Sequence, residues 1–267
     1  NGSTLRRSVL GLAQAIDPAL GDRLAREACF LNTMVDRIVP ATRPEDIDGF
    51  ASQTDVLDMG LVVGEPFRMW VIENRFAGSM PAWEKAGALF VDDVAPYEIL
   101  KMRVVNGIQS NRCQLGVLSG LEFMSDVMAD GIFRAFARRT IEREVMPNLP
   151  AVHGIDVPAY LTETIKRLTN PALKHRTLQI STDGSQKIKQ RLLEPLRAAL
   201  RAGTPCDGLL IGIAGWMQYA SGRDSSGRKL PVDDPFAQRT LAIGEASGGD
   251  AATLVGKMLE IDGIFGF

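Results

Sequence analysis

Apolar residues at Leu5, Val9, Leu12, Ala13 and Ile16 recur at the spacing of one helix face. They predict an amphipathic helix within 3–27, broken or kinked at Asp17-Pro18, with a second helical stretch over Ala19–Ala28. The run CFLNTMVDRIVP (29–40) reads as a strand closed by Pro40, and 41–58 as a polar loop with a short helix starting near Pro44. In LVVGEPFRMWVIENRF (61–76) two apolar runs flank Gly64-Glu65-Pro66, which predicts strand, break, strand. Gly87–Val91 is a further short strand. From Asp92-Asp93-Val94-Ala95-Pro96 onward the helical period dominates, and helices are predicted over 96–128, 130–145, 156–169, 186–202, 207–221, 233–246 and 251–260. Pro96 suits a first helical turn, and Asp92 and Asp93 sit where a helix dipole favours anions. A boundary near residue 92 thus separates a small α/β segment, 1–91, from a helical domain, 92–267.

Composition adds limits. The 267 residues are 45% hydrophobic and 23% charged, with net charge -2. That suits a soluble globular protein and offers no electrostatic footprint for nucleic acid. The basic residues are scattered, with no run that would track a phosphate backbone. No apolar run approaches the ~18 residues a membrane span needs. Three distant cysteines argue against a disulfide framework and for a reducing compartment, so a cytoplasmic location is expected. With two histidines and no close ligand pair, no metal site is expected.

The stretch PYEILKMRVVNGIQS (96–110) poses the chemical question. At about 100° per residue, Glu98, Lys101, Asn106 and Gln109 fall within one arc of about 140°. Met102 and Val105 share that arc, so the face is mixed polar and apolar. On pattern alone a partly exposed helix is the commoner reading. The sharper one is a cleft wall, where a desolvated lysine transfers a proton and an asparagine amide holds a substrate oxygen.

Other segments tip the balance. K-x5-N preceded by DVAPYE, together with TMVDRIVPAT (33–42), GEPFRMWVIENRFAG (64–78), WEKAGA (83–88), NPALKHRTLQI (170–180), DGSQKIKQRLL (183–193) and GIAGWMQYASG (212–222), resembles the polyol-specific long-chain dehydrogenases, the mannitol dehydrogenase family. NPALKHRT, DGSQK and GWMQY are most similar to its fructuronate reductase (D-mannonate oxidoreductase) branch.

The resemblance implies a mainly α fold: a C-terminal multi-helix substrate domain, preceded by a small α/β remnant of a Rossmann-type cofactor domain. No G-x-G-x-x-G follows a strand in this chain. Asn1-Gly2 resembles the end of the family's C-D-N-x-x-x-N-G segment, so the chain is expected to begin inside a longer sequence. By resemblance Lys101 is the general acid/base, Asn106 the amide that polarises the reacting carbonyl or alkoxide, and Glu98 a carboxylate linking the lysine to solvent. Asp36 lines the cleft and, with Asn1, lies on the cofactor side. Lys187 lies near the substrate, and His175 and Arg176 form a cationic recess for a sugar-acid carboxylate. Many members have His where Gln109 stands; glutamine still hydrogen-bonds but cannot carry a proton charge. The implied activity is NAD-dependent interconversion of a keto sugar acid and an aldonate, with NADP not excluded and oligomeric state open. The alternatives are a polyol 2-dehydrogenase acting on mannitol or arabinitol, and a non-catalytic sugar-acid-binding relative, which Gln109 and the missing glycine-rich loop motivate.

Overall fold

A computed structural model describes residues 1–266. In chain order it contains α1 (Gly2–Ile16), α2 (Pro18–Glu27), β1 (Thr33–Asp36), α3 (Pro44–Thr54), β2 (Met69–Glu73), β3 (Ala88–Val91) and α4 (Ala95–Arg103). Then follow α5 (Val105–Leu118), α6 (Met124–Ala129), α7 (Gly131–Thr140), α8 (Val157–Leu168), α9 (Thr177–Ser181), α10 (Gly184–Ile188), α11 (Glu194–Ala202), α12 (Asp207–Ala220), α13 (Ala237–Ser247) and α14 (Ala251–Leu259). Two compact units result: 1–38 with 65–99, and 39–64 with 100–267. The change of unit falls within α4, and α3 belongs to the second unit.

The first unit holds a three-stranded sheet in the order β1-β2-β3, with β1 antiparallel and β3 parallel to β2. Asp17 ends α1 and caps α2 by accepting from Ala19 N at 2.9 Å, with Pro18 in the first turn, so the expected break has a capping cause. Trp70 Nε1 donates to Thr33 Oγ1 at 2.7 Å across the β1–β2 pair, and its ring lies 5.2 Å from that of Trp83. The strand expected at 61–63 is absent. Val62 is 68% exposed, and without a pairing partner this apolar run stays outside the ladder.

The second unit is helical apart from isolated bridges. Its centre is α5, eleven of whose residues are buried, packed on α12. The approach is close because α12 presents glycine. A Cβ at Gly212 would stand 2.4 Å from the Asn111 carboxamide, and one at Gly215 2.6 Å from the Leu115 side chain. Gly212→Ala is expected to cost about 1–3 kcal/mol of stability by overpacking, read as a lower midpoint in urea unfolding.

Three of the expected helices are interrupted. The helix expected over 96–128 is distorted at Val104 (φ -91°, ψ -72°), stops after Leu118 and resumes as α6. Gly120, at φ 75°, takes the left-handed conformation that ends it. The stretches 130–145 and 186–202 each contain a π turn, at Ile141–Val145 and Lys189–Leu193. The two π turns are backbone adjustments that leave hydrophobic spacing almost unchanged. Among the described residues, no helix is long and apolar enough to cross a membrane, and no cluster of three His, Cys, Asp or Glu could hold a metal ion.

Candidate active site

Lys101 lies in the last turn of α4 and is half-buried; Glu98, in the first turn, is exposed. The start of α4 is set by Asp93, whose Oδ1 accepts from Ala95 N at 2.9 Å, with Pro96 just inside. Asn106 opens α5. Its Nδ2 donates to Gln109 Oε1 at 3.1 Å, an i,i+3 contact on one helix face. Gln109 is only 5% exposed, so this bond is sheltered and fixes the orientation of the Asn106 carboxamide. Asn106, Gln109, Ser110 and Cys113 share an arc of about 100° on α5.

The second wall comes from the segment around α9 and α10. Lys187 Nζ donates to Ile180 O at 3.2 Å and also to Thr182 O. Among the described residues, no carboxylate lies within ion-pair distance of it, although Asp183 and Asp234 are near enough to favour its charge. Burial, then the Arg191 guanidinium, lower its pKa. Arg191 sits in the π turn that follows Lys187, and its Nη1 donates to Ser110 Oγ at 3.1 Å, which ties this wall to α5. Such π turns concentrate at functional sites. Cys113, fully buried beneath, has its thiol pushed up to about 11 by burial, so it stays protonated and inert.

The NPALKHRT segment is held by main-chain pairing. Met124 N donates to His175 O at 2.9 Å, Thr177 N donates to Glu122 O at 2.9 Å, and Phe123 and Arg176 form a bridge. His175 and Arg176 do not present two cations to one recess. Burial, then the Lys187 charge, depress the His175 pKa to about 4, which leaves the imidazole neutral at pH 7. Arg176 is exposed, with its Nε 3.4 Å from Glu122 Oε1. Among the described residues, Lys187 is thus a cation of this wall with no carboxylate within ion-pair distance.

Asp36 and Asn1 belong to the first unit. Asp36 closes β1 and is 1% exposed. Beside it, Glu65 of the GEP turn accepts from Ile38 N at 2.6 Å, and Glu65 O accepts from Arg37 Nε at 2.8 Å. This buried carboxylate joins the two motifs and was not singled out from the sequence. Asn1 acts as a clamp. Its Oδ1 accepts from Gly2 N (2.6 Å) and Thr33 N (3.1 Å), while its Nδ2 donates to Thr33 O at 2.7 Å. Those bonds cap α1 and fasten it to β1, and they leave the carboxamide little capacity for a ligand. The parallel pair β2–β3 is joined by a 3-10 turn at Trp83–Ala86 instead of a crossover helix, and no glycine-rich turn opens a helix after a strand.

Arg191 and Ser110 complete the second unit's cluster. The sequence carries the signal: Arg191 is four residues after Lys187 in DGSQKIKQRLL, one helical turn away.

Comparison with known proteins agrees over the whole length. The family model described as Mannitol dehydrogenase Rossmann domain matches residues 1–85, and that described as Mannitol dehydrogenase C-terminal domain matches 93–266. The chain is 43% identical over 265 residues to D-mannonate oxidoreductase of Escherichia coli K12, covering 99% of this chain and 54% of the relative. It is 34% identical over 269 residues to a mannitol 2-dehydrogenase of Aspergillus fumigatus, covering 100% and 53%. The solved structure of Pseudomonas fluorescens mannitol 2-dehydrogenase, a ternary complex with NAD and D-mannitol, superimposes with a TM-score of 0.87 at 32% identity, covering 100% of this chain and 53% of that one. The chain thus spans about half the length of the relatives it matches. With a C-terminal-domain match over 93–266 and a Rossmann-domain match over 1–85, this chain belongs to the mannitol dehydrogenase family.

Proposed function

We propose that the full-length protein is an NAD-dependent oxidoreductase that interconverts a keto sugar acid and an aldonate, and that residues 92–267 carry its substrate-binding and proton-transfer groups, with 1–91 the last section of its cofactor domain. Bound nicotinamide supplies the hydride chemistry. The residues of this chain do the rest. Lys101 donates a proton to the new alkoxide, or removes it in reverse, and Glu98 links that lysine to solvent. Asn106, held by Gln109, directs its remaining N–H at the same oxygen.

The observation that carries the sugar-acid reading is Lys187. Its ammonium is half-buried, oriented by two carbonyls and, among the described residues, without a carboxylate within ion-pair distance. A substrate carboxylate supplies that missing partner. Similarity to the E. coli D-mannonate oxidoreductase supports the same substrate class. The second reading is an uncharged polyol, supported by the fold shared with the protein solved with D-mannitol.

Steady-state oxidation of D-mannonate and D-mannitol by the full-length protein with NAD decides between them. The expected kcat/KM favours mannonate, and Lys187→Met narrows the difference by raising KM for mannonate alone. Preference for mannitol overturns the sugar-acid reading. A folded protein that binds neither NAD nor NADP overturns the enzyme reading and supports a non-catalytic relative.

A further inference from the structure

The face of α5 turned away from Asn106 and Gln109 borders a small cavity. Arg103, Arg112 and Arg191 all line it, with Asn111, Thr140 and Ile141 among their neighbours and no acidic residue in the wall. It has room for about one water-sized particle.

Glu194 favours the charge of Arg103, while Arg112 and Arg191 each keep an unbonded N–H. Arg112 is 1% exposed. Its Nη1 donates to Asn111 Oδ1 and its Nη2 to Thr140 Oγ1 at 3.1 Å, and its plane lies 3.7 Å from the centre of the Phe136 ring. Arg191 Nη1 donates to Ser110 Oγ, and Arg103 Nη1 donates to Asn148 O at 3.0 Å. The Nε of Arg112 and the Nε of Arg191 are buried and have no hydrogen-bond partner. Burial lowers the pKa of all three arginines, that of Arg112 to about 9. The charge that favours Arg112, Glu144, is already held by two main-chain N–H groups. An arginine keeps its proton in nearly any setting, so such a cluster calls for an anion.

We propose that this cavity is a binding site for one small inorganic anion, of chloride size, which accepts from Arg112 Nε and Arg191 Nε. The anion ties α5, the end of α4 and the π turn of Arg191 together. It acts on Arg191, whose bond to Ser110 Oγ joins the π turn to the wall that carries Asn106 and Gln109.

Thermal unfolding of the full-length protein tests this, with chloride replacing methanesulfonate at constant ionic strength. The midpoint is expected to rise by about 3–8 °C and to saturate, the behaviour of a ligand bound only by the folded state. Arg191→Met should abolish the increment. If that variant does not fold, Arg103→Met, at a half-exposed position, should reduce it. Bromide-soaked crystals should show an anomalous peak within hydrogen-bond distance of both Nε atoms. A chloride-independent midpoint, an unchanged increment in Arg103→Met, or a cavity holding only water overturns the proposal.

Discussion

Lys101→Ala lowers kcat of the full-length protein by about 10²–10⁴-fold, the range expected for losing a positioned general acid/base. That corresponds to about 2.7–5.5 kcal/mol on the barrier. The argument runs from the helix. Asp93 and Pro96 start α4, and its last turn carries Lys101 to the junction with α5, where Asn106 opens the next helix. Lys101 is half-buried, so truncation leaves no core cavity, and folded stability should change by less than about 1 kcal/mol. Two readouts separate chemistry from structure. The pH limb of kcat that belongs to the lysine should vanish, and small primary amines should restore part of the rate. Near-normal turnover across pH contradicts the role.

Glu144→Ala should destabilise the fold by about 3–5 kcal/mol, the cost of leaving two buried main-chain N–H groups without an acceptor. Glu144 is 4% exposed, and its two oxygens accept from Gly208 N and Leu209 N, both at 2.9 Å, at the start of α12. Those N–H groups are the unsatisfied donors of a helix N-terminus. Glu144 also supplies the charge that favours buried Arg112. Alanine orphans both N–H groups and removes the carboxylate near the guanidinium. For a unit of this size the thermal midpoint should fall by about 6–20 °C. Glu144→Gln keeps one acceptor but turns an amide N–H towards a backbone N–H, so an intermediate loss is expected. A loss below about 1 kcal/mol for the alanine variant contradicts this view of the α12 cap.

What could be read in advance follows the range over which each interaction acts. The Asp17-Pro18 break, the helix at Pro44 and the strand near Gly87–Val91 are local, set by caps, proline and short apolar runs, and all three occur. The distortion at Val104 and the π turns at Ile141–Val145 and Lys189–Leu193 change the backbone by a fraction of a turn, below what apolar spacing resolves. The strand expected at 61–63 had suitable residues but no pairing partner, which no local pattern reveals.

The site divides the same way. Lys101, Asn106, Gln109 and Lys187 stand out through spacing and resemblance. The neutrality of His175 depends on burial contributed by distant segments, and so does the Glu65 contact with Ile38. The Gln109–Asn106 bond also changes how the glutamine reads. In place of a titrating histidine it is an acceptor that holds the neighbouring amide.

The crystal structure of the full-length protein with NAD and an aldonate is the most direct measurement. The expected result places the aldonate's reacting hydroxyl within hydrogen-bond distance of both Lys101 Nζ and Asn106 Nδ2, with the carboxylate on Lys187. An aldonate whose reacting hydroxyl meets neither Lys101 nor Asn106 contradicts the central claim.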